Sequence, residues 1–152
     1  MTLSECFSQL PDPRRSVGLR TDLSQLLSMV TLSYLCGWTG YRPVARFCKV
    51  HSVLLTETLL LRHGVPSHVT FREVLMNIDQ PILIERFNSW AGQYVDLSSG
   101  DWVSGDGKTL CSTVSKPHGN NQDFQAVVSI FGQQSGLVYA VETYQNKSKE
   151  KG

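Results

Sequence analysis

One short segment of this sequence carries residues suited to metal chemistry: residues 104–109 read Ser-Gly-Asp-Gly-Lys-Thr. Glycines on both sides of Asp106 leave its carboxylate unshielded and let the backbone approach a ligand closely. A carboxylate presented in this way suits a hard cation such as Mg²⁺. Asp-Gly is also a common turn sequence, so a plain surface turn is the alternative interpretation of this segment.

The residues around Asp106 have the pattern of β-strands. Residues 102–106 form a short candidate strand that ends at this carboxylate. Residues 124–131 (FQAVVSIF) and 137–144 (LVYAVETY) are rich in β-branched and aromatic residues, and the stretch between them has the length of a hairpin loop. We therefore expect three antiparallel strands, with a polar loop over 113–122. Apolar residues fall on both faces of the second strand, which indicates a central strand of a larger fold and hence missing sequence.

The first ninety residues have a helical pattern instead. Thr2 followed by Glu5 is a capping box, and Thr21 or Asp22 opens a helix that Gly37 stops. Further helices are predicted over 43–50, 52–62, 71–77 and 80–95, the third of these with a capping box at Thr70 and Glu73. The predicted fold class is α+β, with an all-helical domain over 1–95 and a sheet domain over 96–152.

The overall charge gives little indication of a partner, but its distribution does. The net charge of +1 does not by itself predict a polyanion. All eight arginines, however, lie at or before Arg86. Because arginine is the preferred residue for pairing with phosphate, any nucleic-acid contact is expected mainly in the N-terminal half.

Cysteine spacing and hydropathy predict the cellular compartment of the protein. No two of the four cysteines form a C-x-x-C pair, which predicts reduced thiols in a cytoplasmic protein. The N-terminus has no signal-peptide pattern. The stretch 23–41 is uncharged and just long enough to cross a bilayer. Polar residues interrupt it, so a buried core helix is favoured and no membrane partner is expected.

Five motifs in a fixed order carry a resemblance to a known family. The motifs are LPDPRR at 10–15, an uncharged helix ending in Leu-Cys-Gly at 35–37, YRPVARF at 41–47, GVPS with TFREVL over 64–75, and DGKTL at 106–110. With these motifs, the chain resembles the H-repeat-associated (ISAs-type) group of bacterial insertion-sequence transposases over about residues 7–150. In such proteins an all-helical associated domain precedes a ribonuclease-H-like DDE nuclease.

The resemblance implies a role for Asp106 as the first catalytic carboxylate and as a ligand of Mg²⁺. It also implies DNA, at the ends of the mobile element, as the partner. Nucleases of this kind use two metal ions about 3.5–4 Å apart to transfer a phosphoryl group. After Asp106 the chain offers Asp123, Glu142 and Glu150, none of them where the family has its second aspartate and final glutamate. Moreover, residues 147–150 read Lys-Ser-Lys-Glu, with lysine where the family has asparagine. We therefore expect a truncated transposase that is inactive alone.

The helical half also contains a candidate DNA-reading motif. Residues 52–77 have the pattern of helix, short turn and helix, which permits a helix-turn-helix. Arg62 and Arg72 are then the candidate DNA contacts in this half, and Lys108 is a third beside Asp106. An ordinary helical hairpin within a core is the alternative.

Two other functions are compatible with the sequence. One is a non-catalytic DNA-binding or regulatory fragment that occupies the element ends or pairs with full-length transposase. The other is a helical protein-interaction domain unrelated to DNA. Salt-dependent binding to duplex DNA separates the second from the first.

Overall fold

A computed structural model of the chain describes residues 2–17, 19–94, 102–110, 124–133 and 135–146. The chain divides into two compact units, Met1–Arg86 and Phe87–Gly152. The first is helical and the second contains the sheet, which confirms the α+β class. The helices are α1 (Leu3–Ser8), α2 (Leu23–Leu35), α3 (Tyr41–Val50), α4 (Ser52–Leu59), α5 (His68–Asn77) and α6 (Gln80–Ala91), followed by a 3₁₀ turn (Gly92–Tyr94).

Helix α2 is the central element of the helical unit. Its residues Leu26 and Met29 are fully buried, and it packs against α1 and α3. α3 in turn packs against α5, whose Phe71 and Val74 are fully buried. A single apolar core thus joins these helices, and Ile82 of α6 packs against it.

Three polar side chains of α2 donate hydrogen bonds to backbone carbonyls. The Ser28 and Thr31 hydroxyls donate to carbonyls one turn earlier, at 2.7 and 2.9 Å, and the Gln25 amide donates to the Leu59 carbonyl at 2.8 Å. α2 is 13 residues long. Within the described ranges, no helix has the length and apolar character that a membrane span requires.

The capping residues and glycines in the sequence predict most helix ends correctly. The Thr2 and Glu5 capping box is present, Asp22 caps α2, and Gly37 follows α2 with a φ of 81°. The predicted box at Thr70 and Glu73 is wrong. Ser67 caps α5 instead, with its hydroxyl accepting from the Thr70 backbone N–H at 3.5 Å. Helix α5 therefore begins three residues earlier than predicted.

The three cysteines in the described ranges are free thiols: Cys6 and Cys48 are buried and Cys36 is exposed. Burial raises the pKa of the Cys48 thiol to about 11. It also raises the pKa of Cys6, against a smaller lowering by the nearby Arg86 charge. Cys111 lies outside the described ranges.

An ion pair fixes the loop between α1 and α2. The Arg14 guanidinium donates to both carboxylate oxygens of Asp12, at 2.9 and 2.6 Å, and to the Thr21 carbonyl at 2.9 Å. Arg14 is 8% exposed and Asp12 is 23% exposed. Because two planar groups meet in a two-pronged contact away from bulk water, this pair is stronger than an exposed one.

Asp12→Asn is expected to destabilise the helical unit in a pH-dependent way. Hydrogen bonds from Arg14 lower the pKa of Asp12, outweighing the raising effect of burial. A carboxyl with a lowered folded-state pKa stabilises the fold above its unfolded pKa of about 3.9, and this contribution is lost as pH falls through the folded value. We expect a loss of about 1–3 kcal/mol in the free energy of unfolding at pH 7.

Urea unfolding at pH 7 and at pH 3 checks this expectation. The gap between parent and variant should shrink at pH 3, because pH 3 lies below the unfolded-state pKa of about 3.9 and folding must then release a proton from Asp12. Glu85→Gln removes an exposed carboxylate from the same unit and serves as the control. An equal gap at both pH values would contradict the role given to the Asp12 charge.

The sheet has three antiparallel strands in the order β1 (Val103–Thr109), β2 (Phe124–Gly132) and β3 (Val138–Asn146). β2 is central, as its apolar pattern predicts. Its pairing with β3 contains a bulge at Ile130/Phe131, and those two side chains are 38% and 37% exposed. The predicted loop over 113–122 lies outside the described ranges.

Candidate functional site

Asp106 lies in the middle of β1, not at its end. The strand continues through Gly107 and Lys108 to Thr109, and Asp106 pairs with Ser129 of β2. The prediction that the strand stops at Asp106 is therefore wrong, and so is the alternative of a plain turn. The side chain is exposed and has no hydrogen bond to any described residue. Its carboxylate is therefore open to solvent.

The pairing register defines the neighbours of this carboxylate. Side chains alternate between the two faces of a strand, so Ser104, Asp106 and Lys108 share one face. Across the sheet, Asp106 stands in one row with Ser129 and Val141. The Ser104 hydroxyl accepts a hydrogen bond from the Gln133 side chain at 2.7 Å, which fixes one end of this face.

The two glycines beside Asp106 are not needed for backbone conformation. Neither has a positive φ. A Cβ atom at Gly105 would meet nothing within 4 Å, and one at Gly107 would meet only a Val128 methyl at 4.0 Å. The glycines therefore leave the backbone of β1 uncovered on the face opposite Asp106.

The residues around Asp106 do not by themselves fit a pair of metal ions. Glu142 pairs with Val128, beside Gly107, and so lies on the face opposite Asp106. Among the side chains described, no three from His, Cys, Asp and Glu come together as a metal site. Asp123 and Glu150 fall outside the described ranges. A single carboxylate does not hold two divalent cations.

Helix α6 supports the row that contains Asp106. The Asn88 side chain donates to the Val141 carbonyl at 2.9 Å and accepts from the Val141 N–H at 2.8 Å. Both backbone groups belong to the outer edge of β3. This two-way contact fixes the far end of the Asp106, Ser129 and Val141 row, and it occupies polar groups that a free sheet edge leaves unpaired.

The predicted DNA contacts belong to three different elements of the chain. Arg62 is exposed in the turn after α4 and lines a small cavity of about 400 Å³ with Arg20 and Asp22. Arg72 is exposed on α5, and Lys108 is exposed on β1 in the other unit. Neither unit by itself contains all three residues.

The predicted helix-turn-helix does not have the packing of that motif. Helix α5 packs mainly against α3, and α4 makes its main contact with α3 as well. α4 is also shorter than predicted, since it ends at Leu59 with Leu60 in the left-handed conformation at a φ of 54°. A helix-turn-helix needs its two helices packed mainly on each other, and here each packs mainly on α3.

Sequence reasoning missed a cluster of cations on α3. Arg42, Arg46 and Lys49 are all exposed, and their spacing of four and three residues places them on one side of the helix. The opposite side carries the buried residues Val44 and Phe47. Once a helix is predicted over this segment, helical periodicity is enough to place the three cations on one side of it.

Comparison with known proteins places the chain among transposase-related sequences. The model of the DDE_Tnp_1-associated family matches residues 4–91. An "Uncharacterized protein in dhlA 3'region" of Xanthobacter autotrophicus is 33% identical over 106 residues, covering 68% of this chain and 36% of that protein. No solved structure matches the chain significantly.

Two proteins of Escherichia coli K12 align with nearly the whole chain. The "H repeat-associated putative transposase YhhI" is 26% identical and the "Putative protein YbfL" is 25% identical. Each alignment covers 97% of this chain and 39% of the relative. The chain thus spans less than two fifths of the length of these relatives. Since the family model covers more than half of the chain, this protein belongs to the DDE_Tnp_1-associated family and is transposase-related.

Proposed function

We propose that this chain acts in DNA transposition, as the N-terminal part of a DDE transposase of an insertion sequence. The observation that carries the proposal is the open carboxylate of Asp106, held mid-strand on an antiparallel sheet that follows a transposase-associated helical region. Three antiparallel strands are also how a ribonuclease-H-like domain begins. Asp106 is then the first catalytic carboxylate, and the partner is DNA at the element ends.

The role of Asp106 in this proposal is to contribute one ligand to a Mg²⁺ centre. An exposed carboxylate with no hydrogen-bond partner among the described residues is free to bind a hard cation. Lys108, on the same face, supplies a positive charge that suits a nearby phosphate. The remaining metal ligands must come from residues other than those described.

It follows that this polypeptide alone does not cleave DNA. Glu142, the other carboxylate described on the sheet, is on the wrong face to share a cation with Asp106. We expect no strand cleavage when the purified chain is incubated with element-end DNA and Mg²⁺ or Mn²⁺, judged by denaturing electrophoresis. Metal-dependent cleavage that disappears in Asp106→Ala would contradict this proposal.

The position of Asp106 and Glu142 on opposite faces of the sheet also favours a second candidate function. A chain that binds element ends without cutting them would act as a regulatory fragment, alone or together with full-length transposase. Translating the DNA downstream of the last codon in all frames distinguishes the two. An aspartate-bearing strand followed by a glutamate-bearing helix supports a transposase gene, and their absence supports the regulatory fragment.

A further inference from the structure

The described residues that line one groove on the helical unit include cations and no acidic residue. One wall is α3, with Arg42, Ala45, Arg46 and Lys49, and the other is the turn that leads into α5, residues 65–68. We call it the basic groove. Its volume is about 650 Å³, and it lies within the unit Met1–Arg86.

The three cations form a row along the helix and not a single point of charge. At about 1.5 Å of rise per residue, Arg42 and Lys49 are about 10.5 Å apart along the axis of α3. Each strand of duplex DNA carries a phosphate about every 3.4 Å along the duplex axis. A row of this length therefore faces more than one phosphate.

No described carboxylate neutralises these cations. None of Arg42, Arg46 and Lys49 forms an ion pair with a described residue. A neighbouring groove of about 730 Å³ is different, because it contains Glu73 and because its Arg14 is already paired with Asp12. Three like charges on one exposed helix face repel one another, and a polyanion relieves that repulsion.

The second wall adds positive potential to the same groove. Helix α5 is ten residues long and starts at His68, so its N-terminal end lies in the basic groove. The aligned peptide dipoles give a helix N-terminus a partial positive charge that favours anions. This feature reinforces the side chains of α3 and would not make a site without them.

We propose that the basic groove binds the phosphate backbone of duplex DNA without reading its sequence. The choice of DNA as the polyanion rests on the proposed function. The evidence for an anion-binding groove is independent of it and comes from α3 and the turn before α5. Arginine and lysine side chains that contact phosphates position a protein on the duplex and carry no base information. The primary DNA contact is thus α3, and not the predicted pair α4 and α5.

The test compares two double variants of the full chain that remove the same charge. The groove variant is Arg42→Gln and Arg46→Gln. The control is Arg15→Gln and Arg20→Gln, two exposed cations of the same unit that do not line the groove. All four residues are exposed, so circular dichroism should show unchanged helix content in both variants.

Affinity for a duplex of arbitrary sequence is measured by fluorescence anisotropy over a range of KCl concentrations. Removing one cation that binds a phosphate should reduce the slope of log K against log salt by about one, so the slope of the groove variant should fall by about two. At 0.1 M salt its affinity should fall roughly 60-fold. The control should keep most of both quantities.

Each outcome decides between the two proposals. A groove variant that binds like the parent, or a control that is weakened as much, overturns the basic groove but leaves the transposase assignment standing. A parent chain with no salt-dependent binding to duplex DNA overturns the DNA assignment itself. Preference for RNA or heparin over duplex DNA at equal salt overturns the choice of partner.

Discussion

Replacing Asp106 with alanine is expected to abolish metal-dependent DNA cleavage in any longer form of the protein that cleaves DNA, and to leave folding unchanged. Loss of a residue that merely supports a metal ligand costs about 10–100-fold, so loss of a ligand should cost at least about 100-fold. The Asp106 side chain is exposed and has no hydrogen bond to a described residue. Its removal should therefore change the free energy of unfolding by less than about 0.5 kcal/mol.

The matched control for this prediction is Glu142→Gln. It removes a carboxylate from the same sheet, but from the face opposite Asp106. The comparison uses the extended protein with element-end DNA, and measures single-turnover cleavage together with thermal unfolding. Equal losses of cleavage in the two variants, or full activity in Asp106→Ala, would contradict the assignment of Asp106.

The sequence singles out Asp106 as the candidate carboxylate and predicts a strand leading to it, but it does not predict where that strand ends. Gly105 and Gly107 have poor strand propensity, so local preference ends the strand early. In the structure β1 runs on to Thr109, because its backbone pairs with β2 from Val103↔Gly132 to Thr109↔Ala126. Pairing between segments distant in sequence overrides local propensity. Local sequence patterns do not show which distant segment pairs with β1, so they do not predict where β1 ends.

Helix ends show the same limit on a smaller scale. Asp22 and Gly37 bound α2 as predicted, because each acts on its own backbone. Near α5 two capping candidates competed, and Ser67 prevailed over Thr70. The end of α4 had no sequence signal, since a leucine, Leu60, takes the left-handed conformation that glycine usually provides.

The basic groove could not be predicted from the sequence, for a different reason. The row of cations on α3 follows from periodicity, but its other wall, Ser67 and His68, follows from how α5 packs. The order of helices in space decides which loops face α3. The sequence predicts that α4 and α5 pair with each other, whereas in the structure both pack mainly against α3.

Phe71→Ala is expected to bring the helical unit close to unfolding. Phe71 is fully buried in the core shared by α2, α3 and α5, and it is the largest of the fully buried side chains in the described ranges. Truncating a buried phenylalanine to alanine costs about 3–5 kcal/mol, because apolar burial is lost and a cavity is left. That is a large part of the roughly 5–15 kcal/mol that stabilises a domain.

The same change should also weaken DNA binding, although Phe71 lies beneath the surface. Its packing holds α5 against α3, and those two elements supply the two walls of the basic groove. Val69→Ala, on the exposed side of the same helix, is the control and should leave both stability and affinity unchanged. Urea unfolding followed by circular dichroism, with anisotropy titrations on the same samples, measures the two effects together. One outcome would contradict this role of α5. The Phe71→Ala variant would be several kcal/mol less stable than the parent, still folded, and would bind DNA with the affinity of the parent. The packing of α5 would then not be what shapes the DNA-binding surface.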